Sequence, residues 1–306
     1  MTTPGIPNNY TLSTTCFGAR LGNIQDQIFA AVGMGFRRIE LGLAERPPSM
    51  EGLEDSQRET GVTIPSLVAG CRDPLNGSMA VERLGSLVTE ECERAMNSIR
   101  RHVRLAQGWG CNVVVVRGSK IEDPKLREQA AELKASWDRD GLDEELAEEL
   151  AAFVKVVQKS SQKQVEQFCR SLYTVSQESP DTVFAVEPGR ELDDLLGFES
   201  MGWVLDDLSS SGVKYWHDVG RIHMREKQGL PAQGAWLDSF GSRMAGIHLQ
   251  DAADEEAEMP IGIGEVDFKL LAEYVPSEAE RVLEISPRHG RAEILASVQF
   301  LVDHGF

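Results

Sequence analysis

Four residues in the second half of the chain have side chains that can hold a metal ion, and each lies at the end of a short apolar segment. They are Glu187 in FAVEPG, Asp218 in KYWHDVG, His248 in AGIHLQD and Glu284 in RVLEIS. Carboxylate oxygens combined with an imidazole nitrogen favour Mn²⁺, with Mg²⁺, Co²⁺ or Zn²⁺ as alternatives. A site of this kind supports removal of a proton from a carbon atom next to a carbonyl.

Two of these residues, Glu187 and Glu284, are candidates for proton transfer as well as for metal binding. If the two segments are opposite strands of a barrel, the glutamates face each other across its mouth. A substrate between them could lose a proton to one glutamate and receive it from the other. The metal ion would stabilise the enediolate formed between these steps. This is the chemistry of a ketose 3-epimerase or an aldose–ketose isomerase.

The spacing of the four residues indicates the elements that position them. Successive gaps are 31, 30 and 36 positions, about one strand and one helix each. Each segment is an apolar run that stops at Gly, Pro or a charged loop, which predicts a buried parallel strand. The C-terminal ends of parallel strands in a barrel surround one mouth. We therefore expect the four side chains to converge there.

The rest of the chain fits the same architecture. Eight alternations of strand and helix within 306 residues predict a (β/α)₈ TIM barrel forming a single domain over 1–306. The segment 121–178 is longer than an ordinary crossover, so we expect an enlarged helical crossover with two helices after strand four. A doubly wound sheet is the alternative, but no G-x-G-x-x-G loop follows strand one. The first four strands are predicted at 10–18, 36–43, 62–70 and 112–118.

Successive side chains of a strand point to opposite faces, which predicts the directions of three neighbouring residues in strand six. Trp216 and Asp218 share one face of the strand, and His217 points to the other. We expect Trp216 to fill the barrel interior beneath the site and His217 to have a structural role towards the helices.

Composition argues against several functional classes. The net charge of −18, without a stripe of Lys and Arg, disfavours a nucleic-acid partner. The five scattered cysteines contain no C-x-x-C pair, which argues against a disulfide framework or a thiolate metal site. The N-terminal residues lack the pattern of a signal peptide, and no apolar run approaches roughly 18 residues. We expect a cytoplasmic protein with no membrane partner.

The motifs E-P-G-R, W-H-D-V-G, H-L-Q-D and L-E-I-S, in this order and spacing, resemble the xylose-isomerase-like TIM-barrel superfamily. They look most like its sugar phosphate isomerase/epimerase branch, to which IELG around Glu40 and the stretch PIGIGEVDF are also similar. The resemblance implies a sugar or polyol substrate, a role in carbohydrate metabolism and a homo-oligomer, since such barrels are often dimers or tetramers. It implies proton transfer by Glu187 and Glu284, and metal binding by Glu187, Asp218, His248 and Glu284.

Two features depart from the family pattern. Strand six usually continues as D-x-G-H, with the histidine contacting substrate, but this chain has Arg221 at that position. Arginine is not a base, and its fork of donors suits carboxylate, phosphate or polyol oxygens. The loop after strand seven, often basic in the family, reads DAADEEAEMP. The candidate substrate-binding residues lie at or just beyond strand ends and are Glu40, Arg117, Arg221, His223 and Gln250.

Three other functions are compatible with such a barrel. A dehydratase of keto-inositol or keto-sugar type would begin with the same proton abstraction. A non-catalytic metal-binding partner subunit is suggested by Arg221 and by the long segment 121–178, which is rich in acidic residues. An abasic-site nuclease of the superfamily needs a larger metal cluster than the six histidines supply, and the acidic surface disfavours DNA. The main expectation is a metal-dependent isomerase or epimerase.

Overall fold

The strands of this protein are short and mostly parallel. The computed structural model describes residues 5–73, 79–253 and 256–306. Its described residues form ten strands: β1 (Tyr10–Ser13), β2 (Ile39–Glu40), β3 (Ser66–Val68), β4 (Val113–Arg117), β5 (Val183–Glu187), β6 (Lys214–Asp218), β7 (Met244–Leu249), β8 (Asp251–Ala253), β9 (Glu256–Met259) and β10 (Glu280–Leu283).

Eight of these strands form a nearly closed parallel barrel in a single domain, which confirms the predicted (β/α)₈ architecture. Their order around the sheet is β2-β1-β10-β7-β6-β5-β4-β3. The first and last strands of this order meet only at isolated bridges, such as that of Leu41 with Leu67. In β4, residues Val114 to Val116 are buried β-branched side chains, which are stiff and pack well on a pleated surface.

Helices surround the barrel. In the described part of the chain they are α1 (Ile24–Met34), α2 (Leu53–Thr60), α3 (Thr89–Gly108), α4 (Pro124–Asp140), α5 (Glu144–Ser160), α6 (Gln162–Glu178), α7 (Phe198–Asp207), α8 (Val219–Lys227), α9 (Gln233–Phe240), α10 (Phe268–Tyr274) and α11 (Arg291–Asp303). Among the residues described, no helix is long and apolar enough to cross a membrane.

The enlarged crossover after β4 contains three helices, α4 to α6, so the expectation of two was wrong. The acidic first part of the crossover forms two helices that are divided at Gly141, and Asp143 caps α5 by accepting the backbone N–H of Leu146. Gly after a helix and Asp before the next are ordinary stop and start signals. Because apolar residues recur at helical spacing on both sides of Gly141, the sequence pattern predicts one helix where the structure has two. The insertion still fills the predicted place in the chain.

The barrel interior beneath the predicted site is packed by Trp216, as predicted. Its side chain is fully buried, and its ring centroid lies 5.1 Å from that of His248. A Cβ atom on Gly246, in the neighbouring strand, would lie only 2.3 Å from the Trp216 ring. A glycine there lets the indole fill the space below the imidazole. The imidazole of His248, a candidate metal ligand, therefore packs directly on the Trp216 ring.

An antiparallel hairpin of β8 and β9 follows β7 in the region expected to be an acidic loop. The buried carboxylate of Asp251 joins this hairpin to the glycine-rich stretch that follows it. Its oxygens accept the backbone N–H groups of Ala252, Gly262, Gly264 and Val266 at 2.8 to 3.1 Å. A Cβ atom on Gly264 would lie 2.4 Å from Asp251 Oδ1, so this close approach requires glycine.

Replacement of Asp251 by alanine is expected to lower the free energy of unfolding by about 3 kcal/mol, because buried backbone donors lose a charged acceptor. Urea unfolding monitored by circular dichroism would measure this loss. Asp267→Ala removes an exposed helix cap that accepts two backbone N–H groups, and is the matched control, with an expected cost of about 1 kcal/mol. Equal effects of the two substitutions would contradict a structural role for Asp251.

Candidate metal centre and active-site cavity

Glu187, Asp218, His248 and Glu284 converge at the C-terminal end of the barrel. One potential ligand atom from each lies within 4.8 Å of those from the other three, and all four side chains are buried. Strand register explains part of this convergence, because Asp218 pairs directly with His248 across β6 and β7. The structure thus brings together the complete ligand set predicted from the sequence.

His248 presents its Nδ1 atom to the cluster. This nitrogen lies 2.6 Å from Glu187 Oε1, 3.3 Å from Glu284 Oε2 and 3.8 Å from Asp218 Oδ2. Three carboxylate oxygens and one imidazole nitrogen suit a divalent first-row ion or Mg²⁺. The donor set therefore fits a metal ion without any change of residue type.

Glu40, predicted to contact substrate, instead lies behind His248. Its Oε1 atom is 3.0 Å from His248 Nε2, and its Oε2 atom accepts the Ser66 hydroxyl at 2.8 Å. A carboxylate in this position fixes the orientation and tautomer of an imidazole whose other nitrogen binds a metal ion. Glu40 is fully buried and does not line the cavity.

Replacing Glu40 by glutamine is expected to weaken metal binding about 10- to 100-fold, since the support of the His248 ring loses its charge. Isothermal titration with Mn²⁺ would measure the change. Glu54→Gln, on the first turn of α2 outside the barrel, is the control with the same change of side chain. Unchanged affinity in the Glu40 variant would show that His248 needs no such partner.

Two arginines neutralise part of the acidic cluster. Arg117 pairs with Glu187 through Nε, and its Nη2 atom lies 3.5 Å from Glu284 Oε1. Arg221 Nε is 2.9 Å from Asp218 Oδ2 and 3.7 Å from Glu187 Oε2. Both guanidinium groups therefore lie between the carboxylates and the open space above them.

The surroundings separate the pKa values of the two glutamates. Burial raises the pKa of Glu284 to about 7, although His248 and Arg117 oppose the shift. Burial also acts on Glu187, but the charges of Arg117 and Arg221 hold its pKa well below the usual range. The carboxyl group of Glu284 is thus suited to exchanging protons near neutral pH, while that of Glu187 remains ionised.

The pKa of His248 is raised, although its imidazole is buried. Burial alone would lower it, but the charges of Glu284 and Glu40 raise it well above its ordinary value. In the absence of a metal ion, the imidazole therefore carries a proton among the carboxylates. A metal ion at Nδ1 would have to displace that proton.

A cavity of about 860 Å³ opens above the cluster. Its wall includes Glu284 together with the two arginines, whereas Glu187, Asp218 and His248 are not part of it. Glu284 is consequently the only one of the four predicted ligands that reaches the cavity in the described structure. Thr15, Asp194 and Glu258 also line this space.

No protein-family model matches the sequence, and a search of curated proteins finds no match. Solved structures are similar over nearly the whole chain. A 3-keto-D-glucoside 4-epimerase from E. coli has a TM-score of 0.65 at 15% identity, covering 97% of this chain and 100% of that chain. A D-psicose 3-epimerase from Clostridium cellulolyticum H10 has a TM-score of 0.66 at 12% identity, covering 97% and 99%. The fold is that of the xylose-isomerase-like TIM barrels.

A third xylose-isomerase-like barrel carries a metal ion. It is the IolI protein with a bound zinc atom, with a TM-score of 0.64 at 11% identity, covering 97% of each chain. The similar structures thus include sugar epimerases and a metal-binding protein. This fold agrees with the resemblance inferred from the strand-end motifs.

Two other candidate substrate-binding residues lie away from the cavity of the barrel. Gln250 donates to Asp218 Oδ1 at 3.1 Å and accepts the backbone N–H of Glu258 at 2.7 Å, so it holds a candidate metal ligand in place. His223 lies on α8, where its Nε2 atom is 3.8 Å from Glu265 Oε2. Arg117 and Arg221 are the candidates that line the cavity.

His217 points away from the site, as strand alternation predicted. Its Nδ1 atom lies 2.8 Å from the Tyr215 hydroxyl, and its Nε2 atom lies 2.8 Å from Gln233 Oε1 on α9. Burial lowers its pKa to about 4, so it remains neutral at physiological pH. Its role is to join β6 to the helical layer.

The residues that line the cavity but were not candidates from the sequence include Thr15, Asp194 and Glu258. Thr15 follows β1, and its hydroxyl lies 3.2 Å from Glu284 Oε1. Burial raises the pKa of Asp194 to about 6. Glu258 has a positive φ of 60°, an uncommon backbone conformation for a residue other than glycine. Thr15 could have been found by extending the rule that strand ends surround the mouth to β1, whereas Asp194 lies in a loop and Glu258 lies in β9.

Proposed function

We propose that this protein is a divalent-metal-dependent sugar or polyol isomerase or epimerase. The observation that carries the proposal is the convergence of one imidazole and three carboxylates below a cavity that Glu284 alone of the four reaches. Similarity in fold to sugar epimerases supports the substrate class. A cytoplasmic location is part of the proposal, and the five free, buried cysteines are compatible with a reducing compartment.

In this proposal Glu187, Asp218, His248 and Glu284 hold the ion, with Mn²⁺ favoured by the donor set. A bound divalent ion would supply a Lewis acid that polarises a substrate carbonyl. The zinc atom bound by the IolI protein, which has a similar fold, supports a divalent ion in this protein. The protein would act on a small molecule and could assemble as a homo-oligomer.

Glu284 is the residue that we assign to take a proton from the substrate carbon and return it. Its pKa of about 7 suits both steps, and its carboxyl group faces the cavity. Thr15, 3.2 Å from Glu284 Oε1, orients that group. Glu187 is the second proton-transfer residue in an epimerase, and in that role the guanidinium of Arg117 must move away from its carboxylate.

Dehydration of a keto-inositol or keto-sugar is the second candidate, and Asp194 favours it. With a pKa of about 6, Asp194 is partly protonated near neutral pH and lines the same cavity as Glu284. Glu284 would take the proton next to the carbonyl. Asp194 would give a proton to the hydroxyl group on the next carbon, which leaves as water.

Proton NMR in D₂O, with Mn²⁺-loaded protein and a panel of ketoses, keto-inositols and keto-glycosides, tests both candidates. Isomerisation or epimerisation predicts exchange of a carbon-bound proton next to the carbonyl and an isomeric product. Dehydration predicts a product that has lost a hydroxyl group. Metal binding without exchange on any compound would contradict an enzyme of this type and favour a non-catalytic metal-binding subunit.

A further inference from the structure

Arg221 has one edge of its guanidinium group open to the cavity. Its backbone N–H and Nε each contact Asp218, at 2.8 and 2.9 Å, which fixes the base of the side chain. Within the described residues, neither Nη atom makes a hydrogen bond, and the side chain lines the cavity wall at 18% exposure. Two parallel N–H donors are therefore positioned for a group outside the protein.

A carboxylate is the group that matches this open edge. Two parallel N–H donors bind the two oxygens of a carboxylate at once, and charge assistance strengthens both hydrogen bonds. A phosphate group can accept from the same two donors, but its third oxygen and its second negative charge would need a further partner beyond this edge. A sugar hydroxyl would use only one of the two donors.

The position of Arg221 also limits where the carboxylate lies in the substrate. Its Nε atom is 2.9 Å from Asp218 and 3.7 Å from Glu187, so the guanidinium group borders the ligand cluster on its Nε side and lines the cavity. A substrate carbonyl bound at that cluster would place its adjacent carbon within reach of this edge. We propose that Arg221 selects a sugar acid whose carboxylate is attached next to the reacting carbonyl.

The charge of the centre permits an additional carboxylate. Glu40, Glu187, Asp218 and Glu284 carry four negative charges when ionised, and Arg117 and Arg221 offset two of them. A divalent ion would offset the other two. An anionic substrate would then meet a neutral cluster with open N–H donors. This inference rests on the proposed function for the location of the carbonyl.

A pair of ligands that differ in one group tests the proposal. D-arabino-hex-2-ulosonate has a carboxylate on carbon 1 where D-fructose has a hydroxymethyl group, and both have the ketone on carbon 2. Isothermal titration of Mn²⁺-loaded protein is expected to show at least about tenfold tighter binding of the sugar acid, as expected for a charge-assisted pair. D-fructose 6-phosphate serves as the phosphate probe.

Substitutions of Arg221 test whether the preference for the sugar acid over D-fructose depends on the paired N–H donors of its guanidinium group. Arg221→His should reduce the ratio of the two affinities to about one, and Arg221→Lys should leave a smaller preference because the charge remains without the fork. Lys134→Gln, an equal loss of charge on α4 outside the cavity, should leave the ratio unchanged. Metal content and thermal unfolding of each variant separate a local effect from loss of folding.

Three results would overturn the proposal: equal or tighter binding of D-fructose, tighter binding of D-fructose 6-phosphate, or an acid preference that persists in Arg221→His. The proposed function fails separately. Arg221-dependent binding of the sugar acid, with no proton exchange in D₂O on any compound, would retain the binding site and reject the isomerase. Exchange on neutral ketoses, unaffected by Arg221→His, would retain the isomerase and reject the acid selectivity.

Discussion

Replacing Glu284 by glutamine is expected to reduce proton exchange at the substrate carbon by about 100- to 10,000-fold, the usual contribution of a general base or acid. Glutamine has nearly the same shape as glutamate but does not take up a proton at neutral pH. Among the four candidate ligands, Glu284 alone lines the cavity of the described structure. Deuterium incorporation from D₂O, measured at saturating Mn²⁺, would report the loss.

Two other substitutions make this result specific. Glu132→Gln, on the exposed side of α4, should exchange at the wild-type rate. Glu187→Gln should mainly weaken metal binding, because Glu187 is fully buried and its carboxylate contacts His248 and Arg117. Wild-type exchange in metal-saturated Glu284→Gln would refute its role as the base. Residual exchange in metal-saturated Glu187→Gln would show that one glutamate suffices.

The convergence of the four candidate metal ligands could be predicted because it depends on a general property of barrels. All strands of such a barrel run in the same direction, so residues at their C-terminal ends share one mouth whatever the details of the helices. An acidic residue after a buried apolar run also needs a compensating partner. Glu187 and Glu284 satisfied both conditions, and both are buried in the cluster.

The contacts that orient the candidate ligands and shift their pKa values depend on which strands are neighbours, and this cannot be read from a single sequence. Glu40 meets His248 across 208 positions of chain, and its role behind the imidazole follows from strand order β2-β1-β10-β7. Arg117 covers Glu187 because the two residues pair across β4 and β5. A register shift of one residue would turn either side chain to the opposite face.

Helix α8 shows a local signal that was overlooked. Asp218 ends β6 and is also the N-cap of α8, where its side chain accepts the backbone N–H of Arg221 at 2.8 Å. Aspartate three residues before the capped N–H is a common helix start. This signal predicts a helix that includes His223, as the structure shows. The same carboxylate therefore serves as a cap and as a candidate metal ligand.

Metal affinity is expected to fall by about 10- to 100-fold for each pH unit of acidification between about pH 7 and pH 5, because bound protons and the metal ion compete for the cluster. The raised pKa of His248 keeps a proton on the imidazole, and Glu284, with a pKa of about 7, takes up a second below that pH. Each proton that the ion displaces contributes about a factor of ten per pH unit. Above about pH 7 only the His248 proton remains, and the dependence becomes shallower.

Isothermal titration with Mn²⁺ in buffers of different ionisation enthalpy would count the protons released at each pH. Glu284→Gln is expected to release one proton fewer below about pH 7 and to show the shallower dependence throughout. An affinity independent of pH between about 5 and 7 would contradict protonation of the metal-free cluster. Release of two protons at low pH and one at higher pH would support the assignment of both groups.

The same raised pKa values predict how pH affects the stability of the metal-free protein. A group that binds its proton more tightly in the folded state stabilises that state below its unfolded pKa, and this contribution is lost as pH rises through the folded pKa. For Glu284 the loss extends from its ordinary value of 4.5 to about 7, and His248 acts in the same direction above 6.5. Chelator-treated protein should therefore unfold at lower urea concentration at about pH 8 than at about pH 6. Saturating Mn²⁺ should remove the deficit, because the ion replaces the lost protons.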